Sequence, residues 1–168
     1  MTTDKIMILD TTQVDRRIKR IAYEIYERNF EEQGIIFAGI NGTGYAFAER
    51  LVEIFRTIAP YKAELCKVTL DKHGPANADV QLGIDAKELR DKSVILVDDV
   101  LNSGRTLLQG LKPFLDVNLK KIETAVLVNR SHLSFPVAAT YSGYELATTL
   151  NDHIEVEFGP EKREAYLR

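Results

Sequence analysis

The sequence predicts an α/β fold with a mostly parallel central sheet flanked by helices. Short β-branched runs alternate with longer stretches of helical period, which is the order expected of βαβ units. The run 35–40 is apolar at both odd and even positions, as in a strand covered on both faces. A length of 168 residues suits one domain spanning residues 1–168.

The predicted elements follow one another along the whole chain. Strands are expected at 6–9, 35–40, 64–70, 93–97, 122–128, 138–141 and 154–158. Residues 12–15 resemble a capping box that begins a first helix, a second helix runs from Tyr45 to about Pro60, and a third spans 104–116. Pro113 is expected to bend or thin the last turn of the third helix. The tail after Pro160 is expected to fray.

Each predicted helix has one apolar face. In the first helix these inward residues are Val14, Ile18, Ile21, Ala22 and Ile25. In the second they are Tyr45, Ala48, Leu51, Val52 and Phe55. In the third they are Leu107, Leu108, Leu111, Phe114 and Leu115. Residues 71–83 have neither period and contain Gly74, Pro75 and Gly83, which predicts a mobile loop.

Composition excludes several classes of protein. The net charge of −3 argues against a protein that coats nucleic acid nonspecifically, and 45% hydrophobic residues argue against disorder. No apolar stretch approaches the ~20 residues of a membrane span, residues 1–10 lack a secretory pattern, and the single Cys66 cannot form an internal disulfide. These features predict a cytoplasmic protein. The three histidines lack metal-ligand spacing, which leaves either Mg²⁺ or no metal.

The richest candidate site follows the strand 93–97. Two acids, Asp98 and Asp99, precede a small, hydroxyl-containing turn that opens a helix. Backbone N–H groups there, with the hydroxyls of Ser103 and Thr106, form a nest for a phosphate. The acids can accept hydrogen bonds from sugar hydroxyls or hold the waters of Mg²⁺. An Asp pair alone would more often cap a turn, but acids and nest together suit a sugar phosphate.

Residues 94–106 resemble the phosphoribosyl pyrophosphate (PRPP) signature of type I phosphoribosyltransferases. The match is four apolar residues, two acids, two apolar residues, Asn102 and then Ser-Gly-Arg-Thr. Further likeness, at 8–10, 16–29 and 125–136, covers nearly the whole chain. It points in particular to the pyrimidine operon attenuators that double as uracil phosphoribosyltransferases. The resemblance implies a single-domain phosphoribosyltransferase fold with a small C-terminal hood at about 129–158.

The resemblance also implies an activity in pyrimidine salvage. Ribose 5-phosphate would pass from PRPP to a nucleobase, with uracil favoured, giving UMP and pyrophosphate in a Mg²⁺-dependent reaction. Asp98 and Asp99 would hold the ribose hydroxyls and the waters of Mg²⁺ and, with Arg105, form the catalytic set. The 5-phosphate would bind to Asn102, Ser103, Gly104, Arg105 and Thr106. Purine-specific relatives carry an acid at position 102, which makes a purine substrate less favoured here. A homodimer is expected.

A second loop, at 41–44, matches the pyrophosphate loop of these enzymes. Relatives carry Lys-Thr-Arg-Gly there, whereas this chain has Asn41, Gly42, Thr43 and Gly44 and so lacks two cationic side chains. Backbone amides alone bind phosphate more weakly than amides with Lys or Arg. The altered loop therefore argues against efficient turnover, though not against PRPP binding. The loop 71–83 is the expected lid, with Lys72 and His73 as its candidate contacts.

Two other functions remain as alternatives. A nonenzymatic RNA attenuation regulator would sense nucleotide or PRPP with the same pocket; the basic cluster of Arg16, Arg17, Lys19 and Arg20 would touch RNA or simply be solvated. A dinucleotide-binding oxidoreductase is disfavoured, because the glycines at 39, 42 and 44 do not follow G-x-G-x-x-G. Tyr141 and Tyr144 are expected either to cover a base or to complete the core.

Overall fold

A computed structural model describes residues 4–75, 78–149 and 151–168. The chain forms nine strands, four α-helices and a 3-10 turn within these ranges. In chain order they are β1 (Ile6–Leu9), α1 (Thr11–Arg28), β2 (Gly34–Ile40), α2 (Thr43–Ile58), β3 (Lys62–Thr69), β4 (Gln81–Leu82), α3 (Ala86–Leu89), β5 (Ser93–Leu101), α4 (Arg105–Leu111), the 3-10 turn (Lys112–Asp116), β6 (Lys121–Asn129), β7 (Tyr141–Glu145), β8 (Ile154–Phe158) and β9 (Arg163–Leu167).

The main sheet has six strands in the order β4-β3-β2-β5-β6-β7. Strand β4 is antiparallel to β3, and the remaining neighbours are parallel. The predicted α/β class and mostly parallel sheet are therefore confirmed. A second sheet, in the order β1-β9-β8, is antiparallel. No helix among the described residues is both long and apolar enough to cross a membrane.

Strand β2 lies inside the main sheet, as predicted from its apolar residues at both odd and even positions. Ile35 and Phe37 pack with α1 and α2 in one core, while Ile36 and Ala38 pack on the opposite face with α4. Successive side chains of a strand point to opposite faces, so a strand between two helical layers must be apolar at every position. Parallel strands also bring their carboxyl ends to one edge of the sheet, and that edge carries the candidate site.

The first helix begins earlier than its sequence pattern predicts. Asp10 is the N-cap, its carboxylate accepts a 2.8 Å bond from Gln13 N, and the Gln13 side chain accepts from Asp10 N at 2.9 Å. The capping box predicted at 12–15 is therefore wrong by two residues. All five residues of the predicted apolar stripe are buried. In α2, Phe47 is buried and Tyr45 only half-buried, so the predicted inward face is slightly rotated.

Two predicted boundaries near the site are wrong. Strand β5 does not end at Val97 but continues through the acid pair to Leu101, because its pairing with β6 extends to Asn129. The predicted helix 104–116 is α-helical only to Leu111 and then tightens into a 3-10 turn at Pro113, which lacks the N–H that an α-helix needs. Leu108 and Leu115, predicted to face inward, are 37% and 81% exposed.

The end of the chain is more ordered than its composition predicts. The tail after Pro160 forms β9 between β1 and β8, where Arg163 makes 2.6 Å and 2.9 Å bonds to Asp15. The predicted strand 138–141 is replaced by β7, which joins the main sheet. Residues 129–158, expected to form the hood, thus contribute β7 to the main sheet and β8 to the second one. Part of the loop predicted at 71–83 forms β4.

Candidate active site

An acid pair lies near the carboxyl end of β5. Asp98 is buried and Asp99 is half-buried, because adjacent residues of a strand face opposite sides. Asp98 Oδ1 accepts a 2.9 Å bond from Asp99 N, and Asp99 Oδ1 accepts a 2.9 Å bond from Val100 N. Both carboxylates are therefore held locally by backbone amides.

Asp98 lies beneath two other parts of the candidate site. A Cβ atom at position 44 would lie 2.6 Å from Asp98 Oδ1, so Gly44 at the start of α2 rests directly against the carboxylate. From the other direction Lys72 brings its Nζ within 3.5 Å of the same oxygen. The elements that cover Asp98 are thus the predicted pyrophosphate loop and the predicted lid.

Burial controls the electrostatics of this acid. Burial, the largest cause, and the neighbouring charge of Asp99 together raise the pKa of Asp98 to about 8, although the ammonium group of Lys72 acts in the opposite direction. An ionised Asp98 is consequently a poorly solvated anion beside a single cation. A ligand that brings hydroxyl donors or positive charge to this oxygen would relieve that cost.

The turn after β5 forms a small cradle. Gly104 has φ +90°, which favours glycine, and a Cβ atom there would lie 2.5 Å from Val137 Cγ2. The first amides of α4 have no intrahelical acceptor, as at any helix start, and Arg105 N donates to Ser103 Oγ at 3.3 Å. The concavity over this turn measures about 40 Å³, more than the ~10–15 Å³ that one water needs. It is lined by Val100, Leu101, Asn102, Ser103, Gly104, Thr106 and Leu107.

The predicted pyrophosphate loop offers backbone donors. Gly42 has φ +88° and open space around its Cα, and Thr43 and Gly44 begin the 16-residue helix α2, whose dipole favours an anion at this end. Asn41 instead serves the fold: its Oδ1 accepts from Leu70 N at 3.0 Å and ties β2 to the end of β3. The side chain that stands in place of a cation is thus occupied structurally.

The predicted lid is folded over the site. Arg105 Nη2 donates to Gly74 O at 3.2 Å, which joins the lid to the cradle, and His73 N donates to Asp71 Oδ1 at 3.0 Å within the lid turn. Lys72 reaches Asp98, whereas the His73 side chain is exposed. Residues 76 and 77, also assigned to the lid, lie outside the described residues.

Arg130 is a residue of the site edge that the sequence analysis did not single out. It follows β6, is 8% exposed, and donates from Nη1 to Asn102 Oδ1 at 3.5 Å. The sequence signal that could have identified Arg130 is its position directly after a buried parallel strand, because such positions meet at the carboxyl edge of the sheet.

Two aromatic residues considered for a base cover lie elsewhere. Tyr141 is fully buried and donates to Glu123 Oε1 at 3.0 Å, so it completes the core. Tyr144 lies under the Arg17 guanidinium, 5.0 Å from its ring centre. Arg17 and Arg20 also donate to Gly143 O at 3.0 Å and 2.7 Å, which fastens α1 to the edge strand β7.

Comparison with known proteins identifies the family. A family model described as a phosphoribosyl transferase domain matches residues 6–163. The chain belongs to the phosphoribosyltransferase family. This phosphoribosyltransferase is 35% identical over 170 residues to the bifunctional protein PyrR of Deinococcus radiodurans, covering 94% of this chain and 90% of the relative. It is 33% identical over 162 residues to the bifunctional protein PyrR of Bacillus subtilis, covering 91% and 90%.

Solved structures support the same fold. A hypoxanthine-guanine phosphoribosyltransferase from Bacillus anthracis superposes with a TM-score of 0.71 at 20% identity, covering 90% of this chain and 86% of that one. A hypoxanthine phosphoribosyltransferase from Trypanosoma cruzi gives 0.70 at 17% identity, covering 90% and 84%. The family and fold predicted from the resemblance are therefore confirmed.

The donor set of the phosphoribosyltransferase suits Mg²⁺ delivered with a substrate. Among the described residues, no group of three or more His, Cys, Asp or Glu side chains converges as a metal cage. Asp98 and Asp99 supply carboxylate oxygens only, which matches the way Mg²⁺ uses one or two carboxylates with waters and substrate phosphates. The ammonium group already beside Asp98 Oδ1 indicates that this position favours a cation.

Proposed function

We propose that the protein transfers ribose 5-phosphate from PRPP to uracil, releasing UMP and pyrophosphate, and that it does so in the cytoplasm as a homodimer with Mg²⁺. The observation that carries the proposal is the juxtaposition of a buried acid, a left-handed glycine turn and the start of α2 at one edge of the sheet. These three features can grip a pentose, its terminal phosphate and a second phosphate group at the same time.

The sugar phosphate would be held by the end of β5 and the turn that follows. Asp98 and Asp99 accept hydrogen bonds from the two ring hydroxyls of ribose, since ionised carboxylates are pure acceptors. The free amides at the start of α4, with the hydroxyls of Ser103 and Thr106, surround the 5-phosphate in the concavity above Gly104. Sugar and phosphate contacts thus come from one continuous segment.

The leaving group would lie between α2 and the lid. Thr43 and Gly44 present backbone N–H groups to the pyrophosphate, and Lys72 supplies a positive charge from the lid. Bound Mg²⁺ would neutralise the charge that develops on the departing pyrophosphate. The Arg105 contact to Gly74 holds the lid against the cradle, which keeps water away from a reactive sugar cation.

The reaction needs no covalent nucleophile. The bond from the sugar to pyrophosphate breaks while the bond to the nucleobase nitrogen forms, that nitrogen gives up its proton to water or to the departing pyrophosphate, and the transition state resembles a sugar cation. Positioning and charge stabilisation carry most of such a barrier, and effective molarities for oriented groups reach ~10⁵–10⁸ M. Such chemistry requires no catalytic triad.

A direct assay tests the proposal. The protein is mixed with PRPP and Mg²⁺ and with each of uracil, hypoxanthine, guanine, adenine and orotate, and nucleotide and pyrophosphate are measured. We expect UMP from uracil at a rate well above the other four, and Asp98→Asn as the matched control should be inactive. Nucleotide formation only with a purine would identify that purine, and not uracil, as the substrate. No nucleotide with any of the five bases, despite PRPP binding, would refute turnover.

RNA binding is a second candidate function. The relatives are named bifunctional, and Arg16 and Lys19 of α1 are exposed. Against this, Arg17 and Arg20 are engaged with backbone carbonyls of β7, which leaves few free cations on this face. Titration with a pyrimidine-leader RNA at several salt concentrations tests it. RNA binding would be supported if the logarithm of the binding constant fell linearly with the logarithm of salt concentration and if Arg16→Ala weakened binding. No binding at low salt would exclude it.

A further inference from the structure

Residues 71–74 form a tight turn at the start of the lid, which we call the lid turn. His73 N donates to Asp71 Oδ1 at 3.0 Å, and Gly74 N donates to Asp71 O at 3.3 Å. A Cβ atom at position 74 would lie 2.7 Å from Asp71 Oδ2, so the turn packs closely on itself. Because these contacts lie within four residues, we expect the lid turn to move as one unit.

The segments that flank the lid turn are fixed to the main sheet. On one side Leu70 is buried, and its N donates to Asn41 Oδ1 at 3.0 Å. On the other side β4 pairs with the end of β3, and Gly83 N donates to Lys67 O at 2.8 Å. The sheet therefore anchors both ends of the lid, and the position of the lid turn depends on its own contacts with the site.

Two side chains connect the lid turn to the acid pair and the cradle. Lys72 Nζ lies 3.5 Å from Asp98 Oδ1, and Arg105 Nη2 donates to Gly74 O at 3.2 Å. The first contact joins opposite charges, and the second joins a cation to a neutral carbonyl group. Loss of the Lys72 ammonium group would thus remove the ion pair that keeps the lid turn over the site.

This arrangement closes the free protein to its own substrate. The Asp98 side chain is only 3% exposed, because Lys72 covers Oδ1 from one side and Gly44 rests against it from the other. In the proposed function, the Asp98 carboxylate accepts a hydrogen bond from a ribose hydroxyl group. That hydroxyl group cannot reach an oxygen that is covered and already paired, so a conformational step must precede binding.

We propose that Lys72 is autoinhibitory: its ion pair with Asp98 holds the lid turn shut over the empty site, and PRPP enters only after this pair breaks. The inference rests on the proposed function. Once PRPP is inside, its pyrophosphate group offers Lys72 a new anionic partner, and Asp98 is free to accept from the sugar. The lysine therefore exchanges one anion for another, and the lid closes again on the bound substrate.

The association rate of PRPP separates this role from simple electrostatic attraction. PRPP is an anion, so removal of a cation near its site slows association if that cation only attracts it. Removal of an autoinhibitory cation speeds association instead, because the open form becomes more populated. The two roles of Lys72 thus predict changes of opposite sign in one measurement.

Surface plasmon resonance with PRPP and Mg²⁺ makes this measurement on immobilised protein. We expect Lys72→Met to raise the association rate about three- to fivefold, the size of effect given by one partly exposed ion pair. The dissociation rate should rise by a larger factor, because bound pyrophosphate loses its cation. Lys72→Arg keeps the charge and should keep the slow association. Lys87→Met, which removes an exposed cation of α3, is the matched control and should not speed association.

A second measurement needs no substrate. NMR order parameters of the lid-turn amides should be near ~0.85 in wild type and fall below about 0.6 in Lys72→Met and in Asp98→Asn. The double variant should add no further change, because both substitutions break the same pair.

An association rate in Lys72→Met that equals or falls below that of Lys87→Met would overturn the proposal, and so would unchanged order parameters. Either result leaves the proposed function intact if wild type binds PRPP. Wild type that does not bind PRPP would refute the proposed function itself.

Discussion

Replacing Asp98 with Asn should stabilise the free protein while abolishing substrate binding. The Asp98 side chain is 3% exposed, and burial raises its pKa from 3.8 to about 8. A shift of about four pKa units corresponds to roughly 6 kcal/mol against the ionised form, at about 1.4 kcal/mol per unit. This shift already includes the attraction to Lys72 and the charge-assisted bond from Asp99 N, which partly offset the cost of burial. We therefore expect Asp98→Asn to be more stable than wild type by several kcal/mol at pH 8.

The gain should depend on pH in a definite direction. Folded wild type holds the Asp98 proton more tightly than the unfolded chain does, so wild type loses stability as pH rises from about 4 to about 8. Asp98→Asn has no such proton and does not lose that contribution. The difference in Tm between the two proteins should therefore be near zero at pH 4, grow through neutral pH and level off above pH 8. For a chain of this length, each kcal/mol corresponds to about 2–4 °C in Tm.

Thermal melts at pH 4, 6 and 8, with titration of Mg²⁺ and PRPP at pH 8, measure both effects. Asp116→Asn, which removes an exposed carboxylate, is the matched control and should change stability by less than about 0.5 kcal/mol at every pH. PRPP affinity should fall more than tenfold in Asp98→Asn and remain unchanged in the control. A variant at position 98 that is no more stable than wild type at pH 8 would refute the reasoning, because the buried charge would then be fully compensated in the free protein.

Three further predictions concern the surrounding loops. Gly44→Ala places a methyl group against a carboxylate oxygen and should cost about 2–3 kcal/mol, whereas Gly42→Ala meets open space and should cost about 1 kcal/mol from its positive φ alone; melts of the two variants decide. Lys72→Met should weaken PRPP binding about tenfold, and adding Thr43→Arg should restore most of it; calorimetry that finds no rescue would exclude a shared electrostatic role. Asn102→Asp should lower kcat/KM for uracil at least tenfold and raise the hypoxanthine-to-uracil ratio, and an unchanged ratio in the nucleotide assay would contradict the expectation that an acid at this position favours a purine.

Local patterns predicted those parts of the molecule whose structure is decided locally. Residues 35–40 are apolar at both odd and even positions because helices cover both faces of the strand. Helix α1 has a single apolar stripe because only one of its faces packs against the core. Pro113, expected to bend or thin the last turn of its helix, lies in the 3-10 turn that replaces this part of the α-helix. The start of α1 was missed because two overlapping capping patterns compete, and the box at Asp10 and Gln13 is the one that forms in the structure.

The sequence did not predict features that depend on contacts between distant segments. The tail after Pro160 has no strong pattern of its own; it becomes β9 because β1 and β8 offer edges on both sides and Arg163 pairs with Asp15. Likewise the motif predicts two acids at the site but not that Asp98 is buried, since its cover comes from α2 and the lid. The position of Arg130 at the site edge is hidden for the same reason, because its partners lie on two other loops.

The altered pyrophosphate loop changes how charge reaches the leaving group. Asn41 cannot simply be counted as a lost cation, because its carbonyl oxygen binds Leu70 N and so stabilises the ends of β2 and β3. The cation that lies over the acid pair instead belongs to Lys72, on a lid that Arg105 fastens to the cradle. A cation on a rigid loop neutralises pyrophosphate whether the site is open or closed, but a cation on the lid does so only on closure. In the proposed mechanism, leaving-group stabilisation and exclusion of water would therefore become a single event, and lid opening would weaken the hold on pyrophosphate when product must leave.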